Sequence, residues 1–257
     1  EETKLGGFGV APTKTEGASV TYLTPLQGFD RTYTHTLYAL GFRVTHEFVR
    51  DQQFDLVSRW ARLLGRSLFE VKQIQGAAVF NDGFTSAANS PDGQFLFDTD
   101  HTLFGSGGTE NNRPTVAADF TFTSFRQALE DWADTRDFDG KRTNIKAAYV
   151  LHPTQLRVDV HEILRSQDRP DTANRSTNAL ASNVNGINSL EWLYLTDADA
   201  WFIMSAPSSH SYMFYEREAV QTKAAEDTDS LSMKTLAWTA FSQGTNDWHG
   251  SYGSPGV

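Results

Sequence analysis

Residues 51–80 read DQQFDLVSRWARLLGRSLFEVKQIQGAAVF, and the spacing of their apolar side chains is the strongest structural signal in the chain. Phe54, Val57, Ala61, Leu64, Leu68 and Val71 recur at intervals of three and four, with Leu56, Trp60 and Leu63 widening the stripe. That period predicts a single long amphipathic helix over 51–80. At 1.5 Å of rise per residue it makes roughly 45 Å of rod. On the other flank Asp55 and Arg59, then Arg66 and Glu70, stand four apart, as solvated helical pairs do. This Arg-rich flank reads first as an exposed helix face and second as a binding surface. Asn81-Asp82-Gly83 supply a stop.

Upstream, residues 1–18 are rich in Gly, Thr, Lys and Glu and poor in large apolar side chains. Such a stretch buries too little to offset its ordering entropy, so an extended arm that orders against a partner is expected. Between Ser19 and Val49, SVTYLTPL and RTYTHTLY flank QGFD, which carries Gly28. This pattern predicts a long two-stranded hairpin turning at QGFD. Thr32, Thr34 and Thr36 fall on one side, Tyr33, His35 and Leu37 on the other, so neither face is strongly apolar. A hairpin of this kind is expected to lie across a neighbour rather than on its own core.

Downstream, the Gly/Asn/Asp-rich stretch from Phe84 to Pro114 reads as loops around brief strands. Thr123 or Ser124 is placed to cap a second helix over 124–137, burying Phe125, Leu129 and Trp132 and ending by Gly140. A strand over 143–151 follows, and Pro153 opens a third helix carrying Leu156, Val160, Ile163 and Leu164. The polar loop SQDRPDTANRSTN ends it. Strands are expected near 187–195, 199–206, 211–220 and 232–243. Helices among strands without strict alternation predict an α+β fold.

The 257 residues suffice for a sizeable core, and the absence of cysteine removes disulfides, thiolate metal sites and cysteine nucleophiles. With 32 acidic against 22 basic residues the net charge is −10, which opposes tight wrapping by nucleic acid or adhesion to anionic membranes. No apolar run approaches the roughly 20 residues that span a bilayer, and EETKLGG lacks the basic and apolar regions of an export signal. A soluble chain is expected. The missing initiator methionine fits a trimmed chain and a processed precursor equally.

Candidate chemistry is sparse. Asp98, Asp100 and His101 in FDTDH offer metal-type donors at short spacing, but without the Gly and distal Glu of a calcium loop; a turn with Asp-to-backbone bonds is the alternative. His161-Glu162 falls on a predicted helix, where such a pair is usually solvated rather than catalytic. No nucleophile elbow or phosphate-binding glycine motif occurs, and GSGG at 105–108 follows no strand. Trp60, Trp132, Trp192 and Trp238 lie in predicted elements and are expected in the core. No catalytic, cofactor-binding or metal residue is therefore expected.

Four passages, in order, resemble the major capsid proteins of tailed bacteriophages, in particular the Mu-like major head subunit group with its Hong Kong 97 capsid fold. They are AAVFNDGFT with DGQFLFDTDHTLFGSGGTENN, GKRTNIKAAYVLHPTQL with its LRS helix end, LEWLYLTDADAWF, and the terminal FSQGTNDWHGSYGSPG. The resemblance spans roughly 45–257. It implies an N-terminal arm (1–18), an extended loop (19–50), a peripheral domain (51–119) with a spine helix (51–80), an axial domain (120–210) and return strands (211–257). It implies a non-enzymatic subunit that self-assembles, as pentamers and hexamers, into an icosahedral head around packaged double-stranded DNA, without sequence-specific binding. Portal, scaffold, maturation protease and decoration proteins are implied as partners, and the virion, assembled in the bacterial cytoplasm, as location. Lys–Asn cross-links occur in some relatives, but no pair is identified here. Two alternatives stand beside this reading: an encapsulin-like compartment, and a secreted carbohydrate-binding or hydrolytic protein using Asp98 and Asp100.

Overall fold

The computed structural model describes residues 2–8, 10–25, 27–51, 54–87, 90–105, 107–168, 177–183, 186–227 and 229–257. The side chains of Phe54, Asp55, Ser182 and Asn183 lie outside the description, as do Ser106 of the GSGG stretch and residues 169–176 of the expected polar loop. The expected Asp55–Arg59 pair therefore lies outside it too.

The strands are β1 (Glu2–Leu5), β2 (Gln27–Arg31), β3 (Thr36–Val44), β4 (His101–Thr102), β5 (Thr109–Glu110), β6 (Ala147–His152), β7 (Asn188–Glu191), β8 (Trp201–Ser205), β9 (Tyr212–Asp227), β10 (Ser232–Thr245) and β11 (Ser251–Ser254). The helices are α1 (His46–Arg50), α2 (Phe54–Asn81), α3 (Phe122–Asp134), α4 (Arg157–Arg165) and α5 (Ala179–Asn183). The chain forms two compact units. One combines 33–77 with 213–244; the other combines 1–32, 78–212 and 245–257. Both cross the linear segments implied by the resemblance, because each is closed by strands far apart in sequence.

The smaller unit is a three-stranded sheet, ordered β3-β10-β9, with α2 on one face. β10 pairs antiparallel with β3, setting Ala237 opposite Leu40 and Trp238 opposite Ala39. Leu64 and Leu68 of α2 pack on Ala237, Tyr38 and Phe42. On the opposite face Leu236 lies over Gly41, where a Cβ would come within 2.6 Å of its Cδ2. The earlier part of the helical stripe is only partly covered: Trp60, Ala61 and Leu63 are exposed, Trp60 at 38%. The expectation of Trp60 as core is corrected accordingly. Its ring stacks on Phe48 at 5.4 Å, but a helical period names the face that seeks cover, not the surface that provides it.

The expected 19–49 hairpin does not form. QGFD, read as a turn, lies within β2 (Gln27–Arg31); residues 19–25 hold no strand, and β3 pairs with β10. Thr-rich alternation marks a strand without naming its partner. Gly28 is required by close approach, since a Cβ there would meet the Phe104 ring at 2.5 Å and Lys4 O at 2.9 Å.

β2 instead pairs antiparallel with β1, with Leu5 opposite Gln27. The first residues are thus docked on their own unit, unlike the free arm expected over 1–18. Thr3 Oγ1 donates to Asp30 at 2.6 Å, and Asn246 donates to Glu2 at 2.7 Å. Pairing with β2 supplies the backbone partners that composition alone withheld.

The larger unit is built on a mixed sheet ordered β11-β8-β6-β7. β6 and β7 run parallel, joined through α4 and α5 as a parallel pair requires. One face carries Phe125 and Trp132 of α3, Val160 and Ile163 of α4, and Val150, Trp201 and Ile203 of the sheet. The other carries Phe80, Phe97, Leu151 and Phe202. α3 begins two residues before expectation because Thr121 is the N-cap: its side chain accepts from Ser124 N, and the Ser124 hydroxyl accepts from Thr121 N. Thr121→Ala is expected to cost about 1 kcal/mol of stability, read as a lower urea midpoint for unfolding.

Candidate assembly surface

The sequence-derived candidates are dispersed. His101 is buried, with Nδ1 at 2.6 Å from Asp92 and Nε2 at 3.1 Å from Asn112 Oδ1. Asp98 instead accepts from the amides of Phe95 and Thr99, and Asp100 faces solvent. The FDTDH donors therefore do not converge, and the turn reading describes Asp98. Among the described residues no group of three His, Asp or Glu side chains is placed to hold a metal ion. His161 and Glu162 are both exposed on α4. Leu103 O accepts from Gly107 N within the β4–β5 connection, which is how the described part of the GSGG stretch is used.

Sequence reasoning missed a buried aromatic and charge cluster. Trp248 is sandwiched between His101 at 4.5 Å and His249 at 3.8 Å. His249 Nδ1 lies 2.6 Å from Asp247, and Nε2 donates to Arg136 O at 2.8 Å. The other Asp247 oxygen receives Lys4 Nζ at 2.7 Å. Burial would raise the Asp247 carboxyl, but His249 and Lys4 outweigh it and hold it at about 2. Burial likewise opposes protonation of His249, yet Asp247 raises its pKa overall. Asp92 is depressed too, as hydrogen bonds from His101 and Ser90 overcome desolvation. Each histidine has both ring nitrogens engaged by the protein, and these carboxylates anchor structure: one ties β1 to the chain's last turn. The only sequence trace was Asp247 two residues before His249 in DWHG; Lys4 lies far away in the chain.

The surfaces that remain unused are one long loop, the bare faces of a sheet and one open hollow. Every residue from 10 to 25 is exposed, including Val10, Val20, Tyr22 and Leu23, and Tyr22 is 92% accessible. Because Leu5 faces Gln27, this stretch is a long loop whose two ends are held together. A loop of such length without packing of its own is commonly functional. In the smaller unit, residues 219–226 of β9 are exposed on both faces of the strand. Leu37 and Leu236 are also exposed, at 61% and 51%, on the sheet face away from α2. In the larger unit, Phe80, Tyr149, Leu190, Trp192, Met204 and Tyr212 line an open apolar hollow of about 340 Å³. Burial pushes the Tyr212 hydroxyl up to about 12. Apolar strand faces and an unpacked loop are features of a subunit surface.

The family described as "Phage capsid protein" matches residues 30–252. No curated protein sequence matches the chain. Among solved structures, the capsid of Myoviridae phage XM1 is similar over 100% of this chain and 85% of its own, with a TM-score of 0.59 and 10% identity. The capsid of cyanophage P-SCSP1u covers 98% of this chain and 83% of its own, at TM-score 0.60 and 10% identity. The bacteriophage JBD30 capsid covers 76% of this chain and 85% of its own, at TM-score 0.60 and 12% identity. At these identities the likeness is one of fold.

Proposed function

The chain belongs to the phage capsid protein family, and from that premise we propose that its loop 10–25 and the bare faces of its smaller unit close the shell by packing on adjacent copies. The protein is the structural major capsid subunit of a tailed phage, forming the head shell. In the proposed assembly, copies gather as pentamers and hexamers in the host cytoplasm and enclose double-stranded DNA. Portal, scaffold, maturation protease and decoration proteins act alongside them, and the subunit performs no catalysis. In the shell, residues 51–119 serve as the peripheral domain and 120–210 as the axial domain, with loop 10–25 taking the neighbour-covering role expected of the 19–50 hairpin.

The observation that carries this reading is the run of sixteen consecutive exposed residues, 10–25, whose four large apolar side chains, Val10, Val20, Tyr22 and Leu23, are each more than half accessible. Exposed apolar area of this kind gains about 25 cal/mol for each Å² that a neighbour covers. Antiparallel closure at Leu5 and Gln27 means that a short turn can replace residues 10–25 without disturbing β1 or β2. The shortened chain is expected to stay soluble and folded by circular dichroism. It should fail to form the closed particles that the intact chain forms, as seen by electron microscopy after size-exclusion chromatography with light scattering. Normal closed particles from the shortened chain would refute the role of the loop.

A further inference from the structure

We propose that loop 10–25 engages its neighbour by strand addition: residues 19–24 of one copy pair with the free edge of β9, over 219–226, of a second copy. This inference rests on reading the loop as a contact between copies, and it names the surface that receives it.

β9 is sixteen residues long, and in the order β3-β10-β9 it has a strand on one side only. Its root is engaged within the smaller unit: Glu216 pairs with Lys72, and Glu218 accepts from the Trp238 indole at 2.7 Å. Beyond Glu218, residues 219–226 are all exposed, and among the described residues no backbone group outside the sheet bonds to them. The N–H and C=O groups along such an edge are a template for another strand. Edges that must stay single are usually blunted by proline, bulges or charge. The stretch AVQTKAAE has no proline and, apart from Lys223 and Glu226, no charge.

The other half of the pair is SVTYLT at 19–24, where Val20, Thr21, Tyr22 and Thr24 are strand-forming types. These six residues nevertheless hold no strand, and all are exposed. A local preference left unmet in its own chain is met by pairing with another, through main-chain hydrogen bonds. Six extended residues span about 20 Å, within the roughly 27 Å of the eight-residue edge. Side-chain alternation then sets which face the added strand presents. Glu218 and Trp238 share a face through their hydrogen bond, so Val220 and Leu236, each two residues away, lie on it as well. This is the bare face away from α2, and both side chains are exposed there. Val20 and Tyr22 are also two apart, so an added strand can set both on that face and extend its apolar area, with Thr21 turned to the other side.

The chain has no cysteine, so introduced cysteines report contacts without background. A tagged T21C chain is co-assembled with untagged chains carrying one cysteine at each position from 219 to 226 in turn, and the particles are oxidised. The expected product is a tagged–untagged dimer, strongest at an odd-numbered position and about fivefold weaker at its even neighbours, whose side chains point to the opposite face. The second variant is T21P/Y22P. Alternate N–H groups of an added strand point at its partner, so two adjacent prolines remove one of them in any register, and closed particles should fall about tenfold. Circular dichroism of the unassembled variant should be unchanged, because these positions hold no strand there. Dimers that are absent, or that lack the two-residue period, would overturn the pairing, and the separate deletion of 10–25 then shows whether the loop reading survives without it. Normal yields of closed particles from T21P/Y22P would overturn it as well. So would a disulfide that closes within single unassembled chains of a T21C/K223C variant, which would make the pairing a contact of the subunit with itself.

Discussion

Asp247→Asn is expected to destabilise the larger unit by about 3–5 kcal/mol, the range for removing one partner from a buried ion pair. Asp247 is 2% exposed in its side chain and receives both Lys4 Nζ and the His249 ring, itself stacked on Trp248. Asparagine keeps the shape but leaves His249 beside Arg136 O without a counter-charge. Amide exchange in β1 should accelerate, because Lys4 helps tie the strand to the last turn. The pH dependence follows from the signs. Asp247 is held down at about 2, so its stabilisation is complete above the ordinary carboxylate value near 4 and fades as pH falls from about 4 to about 2. His249 is raised, so its share is present below the ordinary histidine value and is lost as pH climbs through the raised one. Urea titrations from pH 2 to 9 should show both declines in the natural chain and a shallower acid limb in the variant. Equal midpoints and equal β1 exchange would show that the pair contributes nothing.

Phe97→Ala is expected to cost about 3–5 kcal/mol through lost transfer energy and the cavity left behind. Phe97 is fully buried, with ring centroids of Phe84 and Phe202 each at 5.1 Å. Its ring also fills the space where Gly83 and Gly253 lack a side chain; a Cβ at either would fall within 2.9 Å of it. The site is rigid on two sides, so it has little room to collapse around a smaller residue. Phe97→Leu, which keeps most of the volume, should lose about 1–2 kcal/mol. Urea unfolding checks both, and a loss below about 1 kcal/mol for alanine would remove Phe97 from the core that anchors the sheet.

Local pattern and tertiary partnership divide what could be read from this chain. Period three-to-four marked the helix that became Phe54–Asn81, and strand composition marked β6, β8, β9 and β10 near their observed places. Those features depend on each residue's neighbours along the chain, so a sequence carries them directly. The ordered motifs likewise carried the capsid fold and family. What the sequence left open was pairing. β3 joined β10, some two hundred residues away, because Thr-rich alternation fits any antiparallel edge; β2 arose where a glycine suggested a turn; and Leu5 met Gln27 to convert an expected arm into a tethered loop. The FDTDH donors separated because Asp92 and Asn112 reached His101 first. The Lys4–Asp247–His249 cluster, too, gathers residues from opposite ends of the chain. Burial sets the strength of such charges, and burial exists only once distant segments have packed.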